Sequence, residues 1–142
     1  MKEYYPKRYL TEELLLSLLP QLKLDVPYKI VEDLPDGIEV CFPKSSIYIS
    51  EYAEGEIAFY FLANKIGTEK DLTLSDAISI IAPGVSLADE FPIKEHLPFS
   101  SQEKVINQLI NYFYVVKKYL YPFIHGDYSW IEKYREVHRQ KE

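Results

Sequence analysis

The sequence is poor in the residues that staple, span or catalyse. Its 142 residues contain one cysteine, Cys41, and a lone thiol excludes an internal disulfide and fits a reducing, cytoplasmic compartment. No run approaches the roughly 18 apolar residues of a membrane span. The best stretch, Leu14 to Leu19, is broken by Ser17 and meets Pro20. The opening MKEYYPKRYL lacks the charged start, apolar middle and small-residue cleavage site of a secretory signal. The three histidines, His96, His125 and His138, fall in no HxxxH, HExxH or Cys/His pattern, so zinc is not expected. No phosphate loop, no GxGxxG and no GxSxG occurs. Nothing in the chain asks for a cofactor.

Basic residues are scarce in one region. From Asp25 to Glu56 there are eight acids and two bases, Lys29 and Lys44. Taking these from the totals of 22 acids and 16 bases leaves 14 of each elsewhere, so this segment holds the whole net charge of −6. That sign argues against nucleic acid, whose phosphates need Lys or Arg. It favours a basic protein partner. The same acids also keep exposed hairpins from pairing edge to edge. Tyrosine is abundant, 13 of the 21 aromatic residues. It combines apolar area with a polar tip and is frequent at interfaces, as well as in ordinary strands.

The pattern of elements is α+β in a single domain spanning residues 1–142. Thr11 caps a leucine-striped helix with Glu12 and Glu13 in its first turn, and Pro20 ends or kinks it. From Tyr28 the period becomes two. Leu34-Pro35-Asp36-Gly37 has turn chemistry, with Gly37 free to take a positive φ, and Ile38, Val40 and Phe42 alternate after it. Ile47 to Tyr52 and Ile57 to Leu62 make a second hairpin about Glu54-Gly55. Simple pairing across that turn puts Tyr48, Ser50 and Tyr52 on one face with Ile57, Phe59 and Phe61. The expected sheet is a four-stranded antiparallel meander. Thr73 and Asp76 open a short helix, and residues 85–98 have no period. Ser100 and Glu103 form a capping box before a long helix. Its apolar face is Val105, Leu109, Phe113, Val116 and Leu120, with Asn107, Asn111, Lys117 and Lys118 on the other. These C-terminal helices are expected to pack on the sheet.

Candidate chemistry is thin. His125 and Asp127 flank Gly126 and could form a base with its orienting acid. A histidine at a helix end is also simply favourable there. His96 lies in the irregular stretch. A cleft near residues 85–98 with His96, His125 and Asp127 is the enzyme or ligand-binding alternative. Cys41 lies in a strand pattern with Glu39 on its face, which opposes a thiolate, so it reads as structural. Glu32-Asp33 and Asp89-Glu90 are adjacent acids in polar stretches, which suits solvation better than paired acid/base work.

One motif carries a resemblance. Gly126-Asp127-Tyr128-Ser129-Trp130, after the long amphipathic helix, resembles the closing motif of small bacterial proteins that include immunity proteins of polymorphic-toxin systems. The resemblance covers that helix and motif alone and carries over no inhibitory residue. It implies a bacterial cytosolic binding protein without a cofactor.

The expectation is therefore a non-catalytic protein-binding module, an immunity-type inhibitor of a basic toxin. Its contact surface is expected at Glu32, Asp33, Asp36, Glu51, Tyr52, Glu54 and Glu56. A secretion-chaperone-like adaptor is the further alternative. At the YPFIHGDYSW corner, Ser129 with Glu132 is favoured over Asp127 as the cap of the last helix.

Overall fold

The computed structural model describes residues 9–34, 37–63, 72–94 and 100–140, with the side chains of 32–34, 63 and 138–140 outside that description. Asp36 and His96 fall outside the described residues, as does the side chain of His138.

Helix α1, Glu12–Leu18, starts where the Thr11 hydroxyl accepts the Leu14 N–H at 3.1 Å. Pro20 has no N–H to continue an α-helical ladder. The chain instead tightens into a 3-10 turn, Leu19–Leu22, which Lys23 leaves in the left-handed region at φ 54. Leu15 and Leu19 are the inward residues.

Four strands follow: β1 Lys29–Leu34, β2 Gly37–Cys41, β3 Ser45–Ala53 and β4 Glu56–Ala63. They form one antiparallel meander in the order β1-β2-β3-β4. Val40, Ile47 and Phe61 align across three strands, as do Ile38, Ile49 and Phe59. All six are buried, and this is the face the helices cover. Burying each such side chain contributes about 1.5–3 kcal/mol. The opposite face carries Glu39, Tyr48 and Tyr60 in one row and Gly37, Ser50 and Ala58 in the next.

That face assignment corrects the simple hairpin pairing. Ala53 pairs with Glu56 across the Glu54-Gly55 turn, so an unbroken ladder would set Tyr52 against Ile57. The ladder instead resumes at Glu51 and Ile57, leaving Tyr52 as the extra residue of a β-bulge. Phe59 and Phe61 therefore share a face with Ile49 and Ile47, not with Tyr48 and Ser50. Gly37 serves the sheet through its lack of a Cβ, which makes room for the Tyr48 ring.

Helix α2, Leu74–Ile81, has a complete capping box from Thr73 and Asp76. The short helix α3, Leu87–Glu90, interrupts the stretch without periodicity. Helix α4, Ser101–Tyr119, opens with the Ser100–Glu103 box and buries Val105, Leu109, Phe113 and Val116. Phe113 meets Phe59 edge-on at 4.9 Å between ring centres. Helices α5, Tyr121–Ile124, and α6, Ser129–Gln140, complete the layer. Phe61, Phe123 and Trp130 form an edge-on aromatic cluster beneath them. Trp130 thus pins α6 to the sheet. Among the described residues its buried indole N–H has no hydrogen-bond partner, and neither does the Tyr128 hydroxyl.

Asn111 departs from the expected polar face of α4. It is buried, and its side-chain amide accepts the Ile93 N–H at 2.9 Å and donates to the Ile93 carbonyl at 3.1 Å. One side chain thus serves as a short ladder for the chain entering from α3. Lys118 and the Tyr119 hydroxyl add a second tie, both donating to Glu90 at 2.6 and 3.0 Å. Lys118 in turn holds the Glu90 carboxyl below its usual range, with Tyr119 assisting.

Candidate functional site

The hairpin end at Ala53–Glu56 is where most of the expected contact residues meet, and the structure divides them. Glu51 is fully buried. Its Oε1 accepts the N–H groups of Tyr9 at 2.7 Å and Leu10 at 2.9 Å, and its Oε2 accepts that of Gly55 at 3.0 Å. Three backbone N–H groups from two distant stretches of chain are satisfied by one carboxylate. The bulge explains why: it rotates Glu51 onto the inner face and turns Tyr52 outward. Glu51 is therefore withdrawn from the contact surface.

Tyr52 is 58% exposed, the most exposed of the large hydrophobic residues among those described. Glu54 lies at the turn, where its Oε2 accepts the Ser101 hydroxyl at 3.1 Å. A negative charge beside the first turn of α4 also complements the helix dipole. Gly55, at φ 80, lets the turn close against Ser101, to which a Cβ would stand 3.2 Å away. Gln108 sews the turn down, donating to the Gly55 carbonyl at 2.7 Å and accepting the Ile57 N–H at 3.1 Å. Glu56 is half-buried in a hollow of about 560 Å³ with Asp89, Lys94, Lys104 and Tyr112. The side chains of Glu32 and Asp33 and all of Asp36 lie outside the described residues.

That hollow lies beside residues 88–94, as the alternative cleft required, but its lining includes neither His125 nor Asp127. These two do not pair with each other. His125 Nε2 meets Asp25 Oδ1 at 2.8 Å, and its Nδ1 meets the Tyr121 carbonyl at 2.9 Å. Both ring nitrogens face acceptors, which suits the doubly protonated ring. The Tyr121 carbonyl, and Asp25 after it, raise the His125 pKa, while burial opposes them. The Tyr121 hydroxyl also donates to Asp25 at 2.7 Å, and this contact leads in lowering the Asp25 pKa. With both ring nitrogens turned to acceptors of the chain itself, neither is presented to a substrate.

Asp127 accepts the Ser129 N–H at 3.0 Å, which holds its carboxyl below the usual range. Asp127 thus satisfies the first N–H of α6, whose first residue is Ser129, while the N-cap position falls to Tyr128, whose carbonyl accepts the Glu132 N–H at 3.3 Å. The preference for Ser129 as the cap is corrected, because the helix begins one residue too early for it. Gly126, at φ 104, ends α5. Its N–H reaches the Phe123 carbonyl at 2.9 Å and the Asp127 N–H reaches that of Pro122 at 2.9 Å. This is the Schellman pattern, which places a left-handed residue at that position. The corner is a helix junction.

Cys41 donates to Glu39 Oε2 at 2.9 Å, so a negative group sits beside the sulfur and opposes a thiolate. Among the described residues no group of three or more His, Cys, Asp or Glu could hold a metal ion. Among them, too, no helix is long and apolar enough to cross a membrane. No family model matches this chain, and neither does any curated protein or solved structure.

Sequence reasoning missed four working residues. Asp25, Gln108 and Asn111 act through partners 18 to 100 positions away, and only the helical periodicity of α4 hinted that Gln108 and Asn111 share a side. Lys117, on the polar face of the long helix, is the fourth: its Nζ donates to the Leu22 carbonyl.

Proposed function

We propose that this chain is a non-catalytic protein-binding module, in its most concrete form an immunity-type inhibitor that neutralises a basic toxin domain. The observation that carries this reading is Tyr52, a large aromatic turned 58% into solvent by a β-bulge at the end of an acid-rich hairpin. Tyrosine is among the residues that anchor interfaces, because it buries much area for little lost rotamer freedom. The frame behind it is fixed by Glu51, Gln108 and Ser101, so the tip is presented preorganised. Glu54 and Glu56 flank the turn and supply charge that steers a basic partner.

The occupied ring nitrogens of His125 support a binding role over catalysis at the corner. Glu32, Asp33 and Asp36 belong to the proposed surface through the sequence alone.

The test begins with a partner captured on immobilised chain and then purified. Tyr52→Ala should weaken its binding about tenfold or more, mainly through faster dissociation. Glu54→Gln with Glu56→Gln should slow association at low salt and lose that effect at high salt. A purified partner that binds all three forms equally would remove the hairpin end from the interface. For the inhibitor reading, co-expression with the partner should relieve a growth defect that the partner causes alone.

A further inference from the structure

A second hollow lies at the other end of α4 from the hairpin and is independent of the reading above. It measures about 640 Å³, within the roughly 300–1,000 Å³ of small-molecule sites. One wall is the Leu18–Leu22 stretch, and the other is the face of α4 that carries Ile110, Phe113 and Tyr114. The lining is largely aliphatic and aromatic. Tyr114 is 43% exposed, so apolar surface is left open to water here. Two cations stand at this face, Lys117 and Lys118. Lys118 is matched by Glu90 at 2.6 Å. Among the described residues the ammonium of Lys117 meets only the neutral Leu22 carbonyl, and no carboxylate pairs with it. An ammonium has three donors, so Lys117 can keep that carbonyl and still accept an anion.

We propose that this groove binds an amphipathic carboxylate, a linear alkyl acid whose chain lies along Leu18, Leu22, Ile110 and Phe113 and whose head meets Lys117. The apolar lining supplies most of the affinity, in proportion to the area removed from water. The unmatched charge supplies the preference for an acid. An uncharged amphiphile of the same length would fill the groove and leave Lys117 as it is. A cationic one would be repelled.

The test uses dodecanoate, dodecan-1-ol and dodecyltrimethylammonium as probes against the full chain, followed by amide chemical shifts. Dodecanoate should give saturable shifts at Leu18, Leu22, Ile110 and Tyr114. It should bind about threefold more tightly than the alcohol, the size of effect an exposed ion pair gives, and more tightly still than the cation. Lys117→Met should erase the preference for the acid while keeping the alcohol's affinity. Tyr114→Ala, at an exposed position, should weaken both. Equal affinity for acid and alcohol overturns the proposal, as does a preference that survives Lys117→Met. Shifts confined to other residues overturn it as well. So does a groove that answers to an acidic amphipathic helix, or to a second copy of the chain, but not to dodecanoate.

Discussion

Glu51 and Asp25 are both carboxylates that tie distant parts of the chain together, yet they work in opposite surroundings. Glu51 is sealed from water and gathers three backbone N–H groups at the hairpin end. Asp25 stands in solvent, its side chain 66% exposed, and joins the Tyr121 hydroxyl and the His125 ring at the corner. In both places a carboxylate accepts short, well-aligned hydrogen bonds. What differs is the cost of losing them. At Glu51 the orphaned Leu10 and Gly55 donors are buried and would have no water to turn to, whereas at Asp25 water replaces every lost contact. The comparison separates structural acids from surface acids by burial, which their spacing in the sequence does not show.

The largest effect is expected at Glu51. Glu51→Ala should cost about 2–4 kcal/mol in urea unfolding, because it strands buried donors. Glu51→Gln should cost roughly half as much, since one oxygen can still serve Tyr9 and Leu10 while the amide group opposes the Gly55 N–H. A neutral Glu51→Ala would place this carboxylate with the surface acids and dissolve the contrast.

At the corner, the backbone outweighs the side chains. Gly126 holds φ 104, and a residue with a Cβ there should cost about 1–2 kcal/mol. Gly126→Val should cost more than Gly126→Ala, because branching at Cβ crowds the Lys44 stem, which lies 2.7 Å from the added carbon. Thermal unfolding of the two variants measures the difference. If Gly126→Val melts with the native chain, the corner is not held by the Schellman turn.

The smallest effect is at the Asp25–His125 pair, and its sign depends on pH. The His125 pKa is raised in the folded chain, led by the Tyr121 carbonyl and then Asp25. Its contribution is therefore complete below about pH 6.5, the unfolded value, and is lost as pH rises through the folded value. The Asp25 pKa is lowered, led by the Tyr121 hydroxyl and then His125. Its contribution is complete above about pH 4 and is lost as pH falls through the depressed value. Both are present between these limits. Asp25→Asn should be slightly less stable than the native chain near pH 5.5, with the gap narrowing by pH 8.5 and shrinking in high salt. A gap that widens with pH would contradict the protonated ring. His125→Ala should be nearly silent above pH 8.

Much of the frame was legible because it is written locally. The caps at Thr11, Thr73 and Ser100 lie within three residues of their partners, and the meander follows from alternation and turns. The faces of the second hairpin were not legible, because a single extra residue at Tyr52 reverses every assignment before it. That bulge is held by a bond from Gly55 to Glu51 and by Gln108 on another helix. Alternation has no sign of either. The surface role expected for Glu51 failed for the same reason, since it rested on charge and neighbourhood alone. Asn111 looked outward because it is polar, but its partner is a backbone segment 18 residues away. His125 was paired with Asp127 by proximity in sequence, whereas its true partner is 100 residues distant. Polar residues that satisfy remote backbone leave no local pattern.

The most direct measurement is amide hydrogen exchange at Tyr9, Leu10 and Gly55, compared between the native chain and Glu51→Gln. If Glu51 belongs to the frame that presents Tyr52, all three amides exchange slowly in the native chain, and the substitution releases Gly55 well ahead of the other two. Fast exchange at all three in the native chain would contradict the account. It would return Glu51 to the acidic surface and leave Tyr52 without the support on which its proposed role depends.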